Sequence, residues 1–178
     1  MKTYLVLLRG INVSGTKMIK MDALTKALQN IGFTNVQTYI QSGNVFVNST
    51  ETAAKVGLLV KQELFKTFGH DVPTIVIDKQ QLENCVADNP FLNDANTDLK
   101  KLYVAFVSQE LNQNSIHELK ISQFKPDEAV VEGTKIYIKY AVGAGKTRLD
   151  QKYIEKKLNV TATIRNWNTV TTLCNLFQ

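Results

Sequence analysis

Two groups of polar residues in this chain have side chains of the types that bind anions. The first group follows an apolar run near the N-terminus and continues at a later turn; it comprises Arg9, Asn12, Lys17, Gln41, Ser42 and Asn44. The second group lies near the C-terminus and comprises Arg165, Asn166 and Asn168. Guanidinium, ammonium, hydroxyl and carboxamide groups donate hydrogen bonds to phosphate and carboxylate oxygens. We expect both groups to bind a ligand, with Arg9 as the strongest contact.

Residues 9–20 form a candidate binding loop that is unusually long. It spans twelve residues, whereas a strand-to-helix connection usually takes about two to six. Gly10 and Gly15 allow backbone N–H groups to turn toward an anion ahead of a helix N-terminus. The alternative is a structural loop, in which Arg9 pairs with a carboxylate and Asn12 bonds to the backbone.

The second group has equally balanced interpretations. Asn166 is a plausible N-cap for a final helix, and Trp167 a packing anchor. Arg165 is unfavourable beside a helix N-terminus unless it meets an anion or an acidic side chain, because the helix dipole is positive there. Binding and structural roles therefore both stay open.

Residues 143–147, Gly-Ala-Gly-Lys-Thr, imitate part of a phosphate-binding Walker loop. The full pattern requires glycine at position 140, where this chain has Tyr140. We therefore predict no nucleoside-triphosphate hydrolysis. A simpler anion contact through Lys146 and Arg148 and a flexible glycine loop remain the two alternatives.

Other catalytic chemistry has little support in the sequence. Ser42 could meet His70 and Asp71, but turns favour serine for conformational reasons alone. The two histidines lack partners at metal-ligand spacing, so we expect no metal and no cofactor. Cys85 and Cys174 lie in apolar helical patterns, which predicts two unpaired thiols and no disulfide.

The charge distribution favours an anionic partner. Residues 1–50 carry five basic residues against a single acid, and residues 135–165 carry eight against two, whereas the intervening segment is acidic. If the two basic ends meet, they form one positive face suited to an anionic small molecule or a nucleic acid. A mildly basic surface without a specific partner is the alternative. No apolar run reaches the length of a signal-peptide core or a membrane span, so we expect a cytoplasmic protein without a membrane partner.

The hydrophobic periodicity predicts an α+β fold made of two ferredoxin-like βαββαβ halves packed together, with a C-terminal helix. The first half covers residues 1–78, a helical connector covers 79–100, and the second half with the final helix covers 101–178. Hairpin turns at Gly43 and Gly133 occupy corresponding positions, which indicates an internal duplication of topology. The predicted boundaries include a helix starting at about Arg148 and a strand over 160–164.

This topology brings parts of the first group together. In such a sheet, the loop after the first strand, the hairpin turn at 41–44 and the loop at 69–71 lie at one end. An RNA-recognition module has the same fold but exposes aromatic side chains on its sheet. Here residues 4–8 are apolar on both faces, so we expect the open face to be covered by the other half and Phe46 to be a core residue.

Three segments carry a family resemblance: residues 7–13 (Leu-Leu-Arg-Gly-Ile-Asn-Val), 38–45 (Thr-Tyr-Ile-Gln-Ser-Gly-Asn-Val) and 165–169 (Arg-Asn-Trp-Asn-Thr). They closely resemble the bacterial family called domain of unknown function 1697. The resemblance implies a bacterial cytosolic protein with an unknown ligand, and it transfers no catalytic residue. Ser14 stands where that family usually has glycine, which weakens the case for a double-glycine nest of amides.

Together, these observations predict a protein that binds an anionic ligand through basic, amide-rich loops. The ligand is either a phosphorylated metabolite or a nucleic acid. An enzyme acting on a small phosphorylated or carboxylated substrate is the first alternative. A protein-interaction module is the second.

Overall fold

The structure, a computed structural model, describes residues 1–177 except for the side chain of Gln113. The first half has the order βαββαβ, with β1 at Lys2–Leu8, α1 at Met21–Asn30, β2 at Thr34–Tyr39, β3 at Asn44–Ser49, α2 at Ala53–Phe68 and β4 at Thr74–Ile77. Its strands form one antiparallel sheet in the order β2-β3-β1-β4. This is the predicted ferredoxin-like arrangement.

The second half repeats that order after helix α3 at Lys79–Ala87. Its elements are β5 at Leu102–Val107, α4 at Gln113–Glu118, β6 at Glu128–Glu132, β7 at Lys135–Lys139, α5 at Gln151–Leu158 and β8 at Ala162–Asn166, and the C-terminal helix α6 follows at Trp167–Leu176. The sheet order β6-β7-β5-β8 corresponds strand for strand to that of the first half. The predicted fold class is therefore confirmed: two ferredoxin-like halves and a C-terminal helix.

Each half has its own hydrophobic core between the sheet and the helices. In the first, Val6 and Leu8 of β1 are buried in one cluster with Leu24 of α1 and Val60 of α2. In the second, a separate cluster forms around β5, β7 and α5; it includes Ala105, Ile136, Ile138 and Ile154. By contacts, the chain divides into two compact units, residues 1–82 with the C-terminal residues from 175, and residues 83–174.

Capping residues explain where the helices begin and end. Thr52 accepts a hydrogen bond from the Lys55 N–H at the start of α2, and Gly69 ends that helix with φ +70°. Helix α5 begins at Gln151, later than the sequence predicted, because the Asp150 carboxylate accepts the Tyr153 N–H at 2.8 Å. Helix α4 ends at Glu118, and Lys120 just after it has a left-handed φ of +46°.

The two halves differ in one connection that matters for the candidate site. In the first half, residues 9–20 join β1 to α1, whereas in the second half residues 108–112 suffice to join β5 to α4. The additional residues place a long loop at the end of the first sheet where the β2–β3 turn also lies. Among the described residues, none of the helices combines the length and apolar composition that a membrane span requires.

Candidate functional site

The end of β1 touches the β2–β3 turn directly, as the topology predicted. The Leu8 N–H donates to the Gly43 carbonyl at 2.7 Å. Gly43 has φ +81°, and a Cβ atom built there would lie 2.7 Å from Leu8 Cβ and 3.1 Å from Ile11 Cγ1. Only glycine fits this approach, because a side chain would meet both a left-handed backbone and the wall of β1.

Asn12 clamps the loop of residues 9–20 to the turn. Its Nδ2 donates to the Ile19 carbonyl and to the Gln41 carbonyl, both at 3.0 Å. Its Oδ1 accepts the Ile19 N–H at 2.8 Å. The amide side chain therefore bonds to backbone groups on both sides, which is the structural alternative considered for Asn12. A direct ligand contact by Asn12 stays a prediction, but its geometric effect is to fix the loop against the turn.

The middle of the loop is a small hairpin. Val13 accepts hydrogen bonds from both the N–H and the hydroxyl of Thr16, at 2.9 and 2.7 Å. Ser14 and Gly15 between them have φ of +49° and +75°, the signs that a type I′ turn requires at its two central residues. The amides of Asn12 and Thr16 are used within this hairpin, so they do not form a phosphate nest.

The loop before β4 meets the same end of the sheet. Arg9 N–H donates to the Pro73 carbonyl at 3.0 Å, and Lys17 Nζ donates to the Asp71 carbonyl. The Asp71 carboxylate lies 3.0 Å from Lys61 Nζ, which offsets its charge. Three loops thus converge at the end of the sheet where the sequence predicted. Asp71, the only acidic residue in the loop of residues 69–73, has a cationic partner in Lys61.

The remaining residues of the first group divide between turn formation and exposure. Asn44 is fully buried, and its Nδ2 donates to the Tyr39 carbonyl at 3.1 Å and to Ser42 Oγ at 2.9 Å. Gln41 is exposed, and Arg9 is partly exposed. Asn44 therefore shapes the turn from within, whereas Gln41 and Arg9 border solvent.

One residue of this turn gave no sequence signal. Ile40 has φ +49°, a conformation that a β-branched residue rarely adopts. It is also 50% exposed to solvent. Propensity rules assign left-handed positions to glycine or asparagine, so nothing in the sequence pointed to Ile40.

The second group lies at the junction of β8 and α6. Arg165 is part of β8, opposite Val104 of β5, and not in a loop as the predicted strand boundary implied. Its Nη1 donates to Thr163 Oγ1 at 2.7 Å and to the Ile164 carbonyl at 3.0 Å. Burial lowers the pKa of the guanidinium to about 10, because the charged form loses hydration.

The two asparagines of this group have different surroundings. Asn166 Oδ1 accepts the Thr169 N–H at 2.8 Å, so the predicted N-cap is present. Asn168 is exposed in the first turn of α6. All three residues of the second group belong to the second unit, so their participation in one site with Arg9 stays a prediction.

The glycine loop at residues 143–147 is organised by a carboxylate. Asp127 is buried and accepts the Ala141 N–H at 2.8 Å and the Thr147 hydroxyl at 2.6 Å. At the start of α5, the Tyr153 N–H already donates to the Asp150 carboxylate. This arrangement favours a structural role over phosphate binding, since carboxylates occupy the positions where a phosphate would need donors.

The two cysteines form no disulfide with each other. Burial raises the pKa of the Cys85 thiol to about 12, which disfavours the nucleophilic thiolate at this residue. Phe46 is buried, as expected for a core residue, with its ring edge-on to Phe177 at 5.3 Å between centroids. Within the part of the chain that the structure describes, no cluster of three or more potential metal ligands occurs.

Comparisons with known proteins agree with this fold and leave the ligand open. The structure is similar to that of conserved bacterial protein SP0830 from Streptococcus pneumoniae, with a TM-score of 0.68 and 18% identity over 99% of each chain. A search of curated proteins found no match. The family model described as "protein of unknown function (DUF1697)" matches residues 1–137, which include the whole first half and its site. The chain therefore belongs to the DUF1697 family of proteins of unknown function.

Proposed function

We propose that the first half binds a small anionic ligand at the loop of residues 9–20 and the turn of residues 40–44. The observation that carries the proposal is the Asn12 clamp, which fixes a loop carrying Arg9, Lys17 and Lys20 against the turn through bonds of 3.0 Å. Neither segment contains an acidic residue. Three basic side chains on a loop and turn that contain no acidic residue favour a phosphate or carboxylate ligand.

The positioned backbone supports this interpretation energetically. Three non-glycine residues of the loop, Asn12, Ser14 and Lys17, have positive φ, as does Ile40 in the turn. Such conformations cost on the order of 1–3 kcal/mol each and concentrate at binding and catalytic sites. A loop that already holds these conformations is preorganised, so ligand binding loses little further conformational entropy. Each charge-assisted hydrogen bond to the ligand can then contribute about 1.5–3 kcal/mol.

A small ligand fits the number of cations better than a nucleic acid does. The two segments offer three basic side chains, whereas nucleic-acid binding typically engages about six to ten phosphates. Two cysteines that form no disulfide support a cytoplasmic location for this binding. The structural neighbour comes from a bacterium, which supports a bacterial origin for this protein as well.

Calorimetric titration with a phosphorylated metabolite such as glycerol 3-phosphate tests the proposal. Arg9→Ala should weaken binding by about tenfold or more, the equivalent of one charge-assisted contact. Lys20→Ala is the second variant, because the Lys20 side chain is exposed and makes no capping bond to α1, so we expect the fold to stay intact. Lys55→Ala is the matched control, since Lys55 is an exposed lysine at the start of α2, toward the opposite end of the sheet.

Two results would contradict the proposal. The first is absence of saturable binding for phosphate and carboxylate compounds alike. The second is equal weakening by the Lys20 and Lys55 variants, which would show only a general charge effect. A short oligonucleotide serves as a further probe: preferential binding of it, with affinity falling steeply with salt, would assign the site to nucleic acid instead.

A further inference from the structure

Three exposed apolar residues are the immediate sequence neighbours of the residues that the Asn12 clamp joins. Val13, Met18 and Ile40 are 55%, 61% and 50% exposed. Asn12 Nδ2 bonds to the carbonyls of Ile19 and Gln41, whose preceding neighbours in sequence are Met18 and Ile40. Val13 follows Asn12 itself. One side-chain amide therefore gathers the backbone at all three positions, and we call these three residues the apolar rim.

The backbone at Ile40 distinguishes the rim from scattered surface apolar residues. Single exposed apolar side chains are common and carry no information by themselves. Leu58 is an example of that type, 48% exposed within helix α2. Ile40 instead combines exposure with φ +49°. Asparagine or glycine would relieve the strain, and half of the isoleucine surface stays in contact with water, so its burial offsets that strain only in part.

Ile40 exposes apolar surface and holds a strained backbone, and neither property favours folding. Such a residue is suited to contact a ligand. Residues of this kind typify binding sites, where stability is lost in exchange for function. The rim adjoins the cationic loop, because Lys17 immediately precedes Met18 and Arg9 lies on the same loop. A ligand that satisfies both features has an anionic group and an apolar group a few bonds apart.

We propose that the apolar rim receives the apolar organic group of a phosphate ester whose phosphate lies among Arg9, Lys17 and Lys20. The inference rests on the proposed anion site and adds the chemical class of its ligand. Aliphatic side chains at the rim gain from covering an aromatic or alkyl surface that water would otherwise hydrate. A hydrophilic ester gains nothing comparable from the same contacts.

A pair of matched phosphate esters tests this inference. Phenyl phosphate should bind at least about tenfold more tightly than glycerol 3-phosphate, because a buried ring adds an apolar contribution to the same ionic contacts. Ile40→Asn should abolish that preference, because it should weaken the binding of phenyl phosphate much more than the binding of glycerol 3-phosphate. The same variant should raise the melting temperature, since asparagine tolerates the left-handed conformation. Leu58→Gln is the control and should preserve the preference for phenyl phosphate.

The possible outcomes separate the two proposals. If neither ester binds, the anion site is refuted and the inference falls with it. If both bind with equal affinity, the anion site stands and the apolar rim is refuted. Equal weakening of both esters by Ile40→Asn would also refute it, because that pattern indicates a structural role. Binding to anionic phospholipid vesicles without any preference for phenyl phosphate would assign the rim to a membrane surface and overturn the inference.

Discussion

Replacing Gly43 by alanine should destabilise the protein more than the corresponding change at Gly133. Both glycines lie in the hairpin turn of their half, with φ of +81° and +57°. An alanine at either position bears the left-handed penalty of about 1–2 kcal/mol. At Gly43 the new Cβ would in addition lie 2.7 Å from Leu8 Cβ, whereas at Gly133 nothing lies within 4 Å. The pair therefore isolates a steric effect from a conformational one.

The size of the difference follows from that contact. Forcing an extra methyl group into a filled space costs about 1–3 kcal/mol, so Gly43→Ala should lose about 2–5 kcal/mol in total. Gly133→Ala should lose only about 1–2 kcal/mol. For a chain of this length, each kcal/mol corresponds to a melting-temperature change of about 2–4 °C.

Thermal and urea unfolding, followed by circular dichroism, measure this difference. The affinity of the Gly43 variant for glycerol 3-phosphate should also fall, because the displaced turn moves Gln41 away from the Asn12 clamp. Equal destabilisation by both alanines would refute the reasoning, since it would mean that the approach of Gly43 to Leu8 relaxes without cost.

Four further predictions concern single side chains. Asn12→Ala removes three hydrogen bonds to backbone groups. The variant should lose about 1–3 kcal/mol in the free energy of unfolding by urea and should bind anions more weakly. An unchanged affinity would show that binding does not need the clamp. Asp127→Ala frees the loop of residues 141–147, so limited trypsin digestion should cut there faster than in the unmodified protein; equal rates would contradict its anchoring role. At pH 8, iodoacetamide should modify Cys174 before Cys85, as peptide mapping can show, because the Cys85 pKa is about 12. Burial raises the pKa of the Cys85 thiol above the unfolded value of 9.0. Cys85 should therefore lower the free energy of unfolding as pH rises from about 9 to 12, by up to about 1.4 kcal/mol per pH unit. Cys85→Ala should remove this contribution.

The order of secondary structure elements could be predicted because local signals agree with the fold. Thr52 and Gly69 mark the two ends of α2, and Gly43 and Gly133 mark the hairpins. The errors occurred where a side chain acts on the backbone against the general pattern. Asp150 delays the start of α5, because its carboxylate bonds to an amide three residues later.

The candidate site could be located from the sequence but not described in detail. Antiparallel topology alone placed residues 9–20 beside residues 41–44. The partners of Asn12 could not be foreseen, since the carbonyls that it contacts lie seven and twenty-nine positions away. The left-handed conformation of Ile40 could not be predicted for a different reason: it opposes the backbone preference of isoleucine itself.

The connection between the first strand and the first helix differs in length between the two halves, so one half can serve as the control for engineering the other. Residues 108–112 show that this architecture closes with a connection of five residues, so the length of residues 9–20 is not a requirement of the fold. A long insertion at that position adds little loop-closure entropy, because the cost rises only with the logarithm of loop length. The second half can therefore receive a transplanted loop without a redesigned scaffold. A chimera that carries residues 9–20 there would show whether the proposed anion binding moves with the loop or requires the rest of the first half.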